Sequence, residues 1–175
     1  MSCVAIILFT CSNTLAANAA PTLIPLSARE LKLSLAKPHT KASVVTLWAT
    51  WCAPCKREVP ELVEIQGEQN KKGVQVFLLA SDTDSDLEEA AAFLGKLKVK
   101  FPVYRLSEPV DIFMKEFVED WPTLIPTTLL FNEKGVLVEK WYGRFKIEAL
   151  TSRLKQLVAA PSKGPVATKP KVGSH

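Results

Sequence analysis

Two hydrophobic patterns alternate along the chain between about residue 21 and residue 160. Short continuous apolar runs predict buried strands, because a strand covered on both faces has no polar side to present. These runs are residues 44–49, 74–80, 101–106, 127–131 and 136–141. Apolar residues at helical spacing predict helices between and after the runs. These stretches run from residue 55 to about residue 70, and over residues 87–97, 110–118 and 147–158.

Cap and turn residues mark where these elements begin and end. Ser27 with Glu30 forms a capping box before a short first helix, and Ser85 with Glu88 forms a second one before the helix at 87–97. Residues 132–135, with the sequence NEKG, predict an antiparallel hairpin between the last two strands. From the first buried run onward the order is β-α-β-α-β-α-β-β-α. This order predicts a mixed sheet covered by helices on both faces.

The composition is that of an ordinary globular protein, with 47% apolar and 23% charged residues. The net charge is +4, but three of the lysines lie in residues 161–175, which contain no acid. That stretch is dominated by Pro, Lys, Gly and Ser and predicts a disordered basic tail. The remaining domain, residues 21–160, has a net charge of +1. A nucleic acid is therefore a poor candidate for its partner.

The first twenty residues have features of an export signal. Residues 4–9 form a short apolar stretch, and Ala17 and Ala19 match the A-x-A pattern of a signal-peptidase site. The segment before the apolar stretch carries no Lys or Arg, which is unusual for a signal. The other interpretations are a lipoprotein signal with a lipidated Cys11, an uncleaved anchor, and no export at all. We expect residues 1–20 to be a signal peptide and the protein to be exported.

Cys52 and Cys55 form a CxxC motif between a predicted strand and a predicted helix. At a helix N-terminus, unpaired backbone N–H groups and the helix dipole stabilise a thiolate, which suits Cys52 as the exposed nucleophile. One helical turn brings the two sulfurs within bonding distance, so the more buried Cys55 can resolve a mixed disulfide. Pro54 stiffens the turn and has no N–H that needs an acceptor. The motif predicts dithiol–disulfide exchange.

Two other uses of the motif lack support in the sequence. Half a zinc site needs two more ligands, and after the first twenty residues the only other candidates of Cys or His type are His39 and His175. A purely structural disulfide would stabilise the fold little, because it closes a very short loop. We therefore expect no metal and no bound organic cofactor.

Three segments carry a joint pattern: residues 48–62 around WCAPC, residues 101–103, and residues 125–131. The pattern resembles the thioredoxin superfamily, and more narrowly the extracytoplasmic TlpA/ResA-like thiol-disulfide oxidoreductases. The resemblance extends over residues 40–158. It implies a thioredoxin-like α/β fold, a three-layer α/β/α sandwich with a mixed central sheet. It also implies the extra helical insertion typical of TlpA/ResA-like proteins, following residues 101–103.

The resemblance implies roles for several residues. The Ile125–Pro126 bond is expected to be cis and to lie beside the CxxC motif, which exposes the Ile125 backbone to a substrate strand. Glu58 matches a glutamate that influences thiol acidity in the ResA-like group, and its alternative is an ordinary exposed helical glutamate. Thr46 stands where ordinary thioredoxins carry a buried Asp, and it cannot accept a thiol proton at neutral pH. Trp51 is expected to shield the sulfurs and to contact partners.

The function implied by the resemblance is reduction of disulfides in exported proteins, as in cytochrome c maturation. The expected partners are protein disulfide substrates, with apocytochrome c as the typical client, and a membrane dithiol electron donor. The expected location is the periplasm or another extracytoplasmic space. Membrane contact is expected only through an N-terminal anchor, if that segment is uncleaved or lipidated.

Rival functions use the same fold or the same motif. A disulfide oxidant or isomerase would have a less reducing cysteine pair, and a redox-inert binding module would have no use for an intact WCxPC sequence. A peroxidase of the peroxiredoxin type needs a threonine three residues before its reactive cysteine. Thr50 is two residues before Cys52, which disfavours that function.

Overall fold

The computed structural model describes residues 20–159, within which six strands form one sheet and five helices cover it. The strands are β1 (Leu23–Leu26), β2 (Ala42–Trp48), β3 (Val74–Ala80), β4 (Val103–Leu106), β5 (Thr127–Asn132) and β6 (Leu137–Tyr142). The helices are α1 (Ala28–Leu35), α2 (Ala53–Gln69), α3 (Leu87–Lys96), α4 (Val110–Lys115) and α5 (Ile147–Ala159). Apart from Ala20, the predicted signal peptide lies outside the described residues, as does the predicted tail.

The strands are arranged in the order β1-β4-β3-β2-β5-β6. Strands β1, β4, β3 and β2 run parallel to one another. In contrast, β5 runs antiparallel to β2, and β6 runs antiparallel to β5. The sheet is therefore mixed, as the sequence predicted. At one edge of the sheet, the carboxyl ends of β2 and β3 meet the start of β5. The loops that follow or precede these three strand ends are brought together there.

Strand β2 is the centre of the core, because all seven of its residues are buried. Val44 and Trp48 face a hydrophobic cluster built with α2, α3 and α5. Val45 and Leu47 face a second cluster, built with α1 and α4 on the other side of the sheet. Two helical layers thus enclose the sheet, which confirms the three-layer α/β/α sandwich. None of the helices in residues 20–159 has the length and hydropathy of a membrane-spanning segment.

One of the two predicted capping boxes is present and the other is wrong. Ser27 Oγ accepts the Glu30 N–H at 3.3 Å, and Glu30 Oε2 accepts the Ser27 N–H at 2.8 Å. Ser85 instead lies inside a 3-10 turn, Asp84–Asp86, and α3 begins after Asp86 without a side-chain cap. The Ser85 hydroxyl is hydrogen-bonded to the Thr83 hydroxyl at 2.8 Å. The hydroxyl that would have capped α3 is therefore used inside the turn.

The element boundaries differ slightly at β4 and α4. β4 begins at Val103 rather than Phe101, because Pro102 has no N–H for the sheet ladder. α4 follows β4, where the resemblance placed an additional helix, and ends at Lys115 rather than at residue 118. The predicted hairpin joins β5 to β6, with Gly135 in the left-handed region at φ 71°. That conformation suits a glycine, since it has no Cβ.

The hydrophobic cluster between the sheet and helices α2, α3 and α5 should dominate the stability of the domain. Leu78 is fully buried there, so Leu78→Ala is expected to lower the free energy of unfolding by about 3 kcal/mol through lost burial and a cavity. Leu33 is 72% exposed, and Leu33→Ala should change it by less than about 0.5 kcal/mol. Urea unfolding of both variants measures the difference, and equal losses would contradict this packing.

Candidate active site

The CxxC motif lies where β2 ends and α2 begins. Cys52 is the N-cap residue of α2, and its Sγ accepts the Cys55 N–H at 3.2 Å. The two cysteines are joined by a disulfide bond. Pro54 occupies the first turn of the helix, where a missing N–H leaves no acceptor unused. Acidic side chains are absent from the first turn of α2, so the helix end keeps its positive field at the sulfurs.

The two cysteines differ in exposure, but less than predicted. Cys55 is fully buried, and Cys52 retains only 5% of its surface. The predicted order is correct, whereas the expectation of a freely exposed Cys52 is not, because the Ala49–Cys52 turn tucks it against the sheet. Trp51 beside it is 68% exposed, which leaves its ring open to a partner.

The turn that carries Trp51 is anchored by Asp82, a residue that the sequence interpretation missed. Both the backbone N–H and the hydroxyl of Thr50 donate to Asp82 Oδ1, at 2.8 and 2.5 Å. Asp82 follows β3, the parallel neighbour of β2. Polar residues at the carboxyl ends of adjacent parallel strands meet at one edge, and this rule could have identified it.

The loop before β5 lies at the same edge of the sheet. Its Ile125–Pro126 peptide bond is cis, as the resemblance implied, and the other proline of the loop, Pro122, is preceded by a trans bond. The Pro126 carbonyl accepts the Gly143 N–H at 2.8 Å, which ties this loop to the one after β6. Within the described part of the chain, the Ile125 N–H and C=O make no backbone hydrogen bond. Within residues 20–159 these two groups are therefore free of backbone pairing.

Side-chain hydrogen bonds hold that loop in place. The Trp121 indole N–H donates to the Thr127 hydroxyl at 3.0 Å, and this hydroxyl donates to the Leu124 carbonyl at 2.5 Å. Leu124 itself is 44% exposed. Trp51 and Leu124 thus give an apolar character to the two loops that meet at this edge.

Glu58 lies one helical turn after Cys55 and is buried, with 1% of its surface exposed. The alternative of an ordinary exposed glutamate is therefore wrong. Its Oε1 accepts the Thr128 hydroxyl at 3.0 Å, and that hydroxyl is hydrogen-bonded to the Thr46 hydroxyl at 2.9 Å. Oε2 has no hydrogen-bond partner in residues 20–159. Residues at positions i and i+3 of a helix lie on the same face, so Glu58 is on the side of α2 that carries Cys55.

Burial raises the pKa of Glu58 to about 7. The Thr128 hydrogen bond opposes this rise, because it stabilises the charged carboxylate. Glu61 on the same helix raises the pKa further, while Arg144 and the backbone N–H of Phe145 lower it. The group can therefore take up or release a proton near neutral pH.

Within residues 20–159, three or more His, Cys, Asp or Glu side chains do not come close enough together to form a metal site. The chemistry that the arrangement offers is that of the two sulfurs, with the buried carboxyl group of Glu58 one turn further along α2.

The sequence over residues 15–157 matches the Redoxin family. The chain belongs to the Redoxin family. Thiol-disulfide oxidoreductase ResA of Bacillus thuringiensis (strain Al Hakam) is 28% identical over 139 residues, which cover 79% of this chain and 76% of ResA. Thioredoxin-like protein YneN of Bacillus subtilis (strain 168) is 27% identical over 124 residues, covering 70% of this chain and 69% of YneN.

The solved structures include one of a thiol:disulfide interchange protein, thioredoxin family protein, from Chlorobium tepidum TLS. It superposes with a TM-score of 0.60 at 22% identity, covering 73% of this chain and 84% of that one. This likeness shows the thioredoxin-like fold. The Redoxin match and the similarity to ResA make the chain a TlpA/ResA-like member of the thioredoxin superfamily and a thiol-disulfide oxidoreductase.

The buried Glu58 should make stability depend on pH. Between about pH 4.5 and 7 the unfolded chain loses the Glu58 proton that the folded protein keeps, so the free energy of unfolding falls as pH rises. The fall attributable to Glu58 should reach about 3 kcal/mol. Glu58→Gln removes the titrating group, so the difference between the unfolding curves of the oxidised wild type and variant measures this contribution. A constant difference across that pH range would contradict the assignment.

Proposed function

We propose that this protein is a reductant of disulfide bonds in exported proteins, with Cys52 and Cys55 as its catalytic pair. The observation that carries the proposal is the cysteine pair at the N-terminus of α2 with the buried Glu58 one turn along the helix. Reduction of apocytochrome c before haem attachment is the client reaction that we infer from the family resemblance.

The reaction begins at Cys52 in the reduced protein. Its thiolate is stabilised by the backbone N–H groups of the first turn of α2. One of them, the Cys55 N–H, already donates a hydrogen bond to Cys52 Sγ in the oxidised form. The thiolate attacks one sulfur of the client disulfide, forms a mixed disulfide and releases the second client sulfur as a thiolate. The unpaired N–H and C=O of Ile125 hold the client segment as an added strand during this step.

Cys55 completes the exchange. Its thiol gives its proton to Glu58, and the resulting thiolate attacks Cys52 Sγ in the mixed disulfide. The Cys52–Cys55 disulfide forms and the first client sulfur leaves as a thiolate, which takes a proton from the solvent. Two electrons have then passed from this protein to the client. A membrane dithiol donor restores the reduced pair.

The direction of electron flow follows from two opposing influences on the thiolates. The N-terminus of α2 stabilises negative charge on Cys52, and this influence alone favours the reduced form, as in a disulfide oxidant. Glu58, when ionised, places a second negative charge beside Cys55 and opposes a thiolate there. We infer that this opposition favours the oxidised form and makes the pair a reductant.

The proposed location is extracytoplasmic, in the periplasm or an equivalent compartment. The support is the signal-like sequence of residues 1–20, which precedes the described domain. Trp51 and Leu124 are exposed apolar side chains in the two loops at this edge of the sheet, and they suit an unfolded or flexible client that presents apolar side chains around its cysteines.

The catalytic pair is tested by replacing each cysteine separately. The wild type should accelerate insulin-disulfide reduction by dithiothreitol, and Cys52→Ser should abolish the acceleration because the attacking sulfur is gone. Cys55→Ser should instead accumulate mixed disulfides, which non-reducing gels of trapped complexes detect. A binding module with inert thiols would show none of these effects, and wild-type behaviour of both variants would refute the mechanism.

The reductant role is tested by the reduction potential of the Cys52–Cys55 pair. The purified domain is equilibrated in thiol buffers of defined potential, and the free cysteines are counted by alkylation. Thioredoxin lies near about −270 mV and a strong oxidant near about −120 mV, and we expect a value at the negative end. A value at the positive end would instead identify a disulfide donor or isomerase.

A further inference from the structure

Glu58 belongs to a chain of three buried polar side chains that crosses the inside of the domain. Thr46 on β2 is fully buried, and Thr128 opposite it on β5 is 1% exposed. Their hydroxyls are 2.9 Å apart, and the Thr128 hydroxyl is 3.0 Å from Glu58 Oε1. The chain therefore links the central strand, its antiparallel neighbour and α2.

The hydrogens in this chain can point in only one direction while Glu58 is ionised. Each threonine hydroxyl has one hydrogen, and that of Thr128 is donated to Glu58 Oε1. The hydrogen between the two threonines must then come from Thr46, with the Thr128 oxygen as acceptor. Successive donation in one direction strengthens each bond, because each donor is polarised by the one before it.

The two oxygens of Glu58 consequently have different surroundings. Oε1 is occupied by Thr128, whereas Oε2 is buried and makes no hydrogen bond of ordinary geometry in residues 20–159, where the backbone N–H of Phe145 is the other donor that acts on the carboxyl group. A buried polar atom without a partner is costly, so Oε2 is the atom that gains most from binding a hydrogen. Other charged groups that act on the carboxyl group are Glu61 on α2 and Arg144 in the loop before α5.

We propose that Thr128, oriented by Thr46, is a positioning residue that holds Glu58 through Oε1 and leaves Oε2 to exchange the proton with Cys55. When Oε2 takes the proton, Oε1 still accepts the hydrogen bond from Thr128. Thr46 therefore donates to Thr128, and Thr128 to Glu58, in both protonation states of the carboxyl group. This inference rests on the proposed proton transfer from Cys55 to Glu58, and the following experiment separates the two.

The direct readout is the titration of the Glu58 side-chain carboxyl carbon by NMR in the oxidised protein, which needs no activity. Thr128→Val is close in shape and lacks the hydroxyl, so the carboxylate loses its donor and the titration midpoint should rise by about one pH unit. Thr128→Ser keeps the hydroxyl and should restore the wild-type midpoint. Thr46→Val leaves the Thr128 bond in place and should give a smaller rise.

Two further variants test whether a rise in the Glu58 titration midpoint could come from altered packing alone. Thr40 is also a buried threonine, but its hydroxyl has no hydrogen-bond partner in the described residues, so Thr40→Val should leave the midpoint unchanged. The double variant Thr46→Val with Thr128→Val removes both hydroxyls, so that no buried threonine hydroxyl is left without its threonine partner. It should fold and show the same midpoint as Thr128→Val alone.

The kinetic readout is the pH dependence of mixed-disulfide resolution. Thr128→Val should move the midpoint of this profile upward by the same amount as the carboxyl titration. An unchanged titration in Thr128→Val, with normal disulfide exchange in the wild type, would overturn the positioning role and leave the proposed function intact. A shifted titration in Thr128→Val, combined with a wild type that exchanges no disulfides, would support the positioning of Glu58 by Thr128 and refute the proposed function.

Discussion

The pairing of β2 with β3 on one side and β5 on the other is the constraint on which the site depends. The parallel partner brings Asp82 to the carboxyl end of β2, and the antiparallel partner brings Pro126 to the same edge. β2 is buried on both faces, so its position is set by the whole core. The CxxC turn, its anchor and the cis-proline loop therefore occupy fixed relative positions before any client binds.

Within that frame the cysteine pair experiences two electrostatic influences of opposite sign. The end of α2 presents N–H groups to Cys52, and the same helix carries Glu58 into the interior one turn after Cys55. In the proposed mechanism, this helix stabilises charge at the attacking sulfur of Cys52 and supplies the buried carboxyl group of Glu58 as the proton acceptor for Cys55. The division suits a reaction in which Cys52 acts first as a thiolate and Cys55 must lose a proton later.

Most of the fold could be predicted from local patterns. The run from Val74 to Ala80 matches β3 residue for residue, since a strand buried on both faces is a continuous apolar segment. The capping box at Ser27 is present because its two residues are three apart and need nothing else. The similar pair at Ser85 failed, because the neighbouring Thr83 and Asp86 side chains offered a competing turn that spacing alone does not reveal.

The sequence by itself determined the order of elements, the CxxC chemistry and the proline that precedes β5, because each depends on residues close together in the chain. The tertiary structure decided the burial of Glu58, its link to Thr128 and Thr46, and the anchoring of the turn by Asp82. These contacts join residues 32 to 82 positions apart, and a hydrogen bond across such a distance exists only once the sheet has brought its strands together. The state of a buried carboxyl group depends on all the elements packed around it, and local sequence describes only one of them.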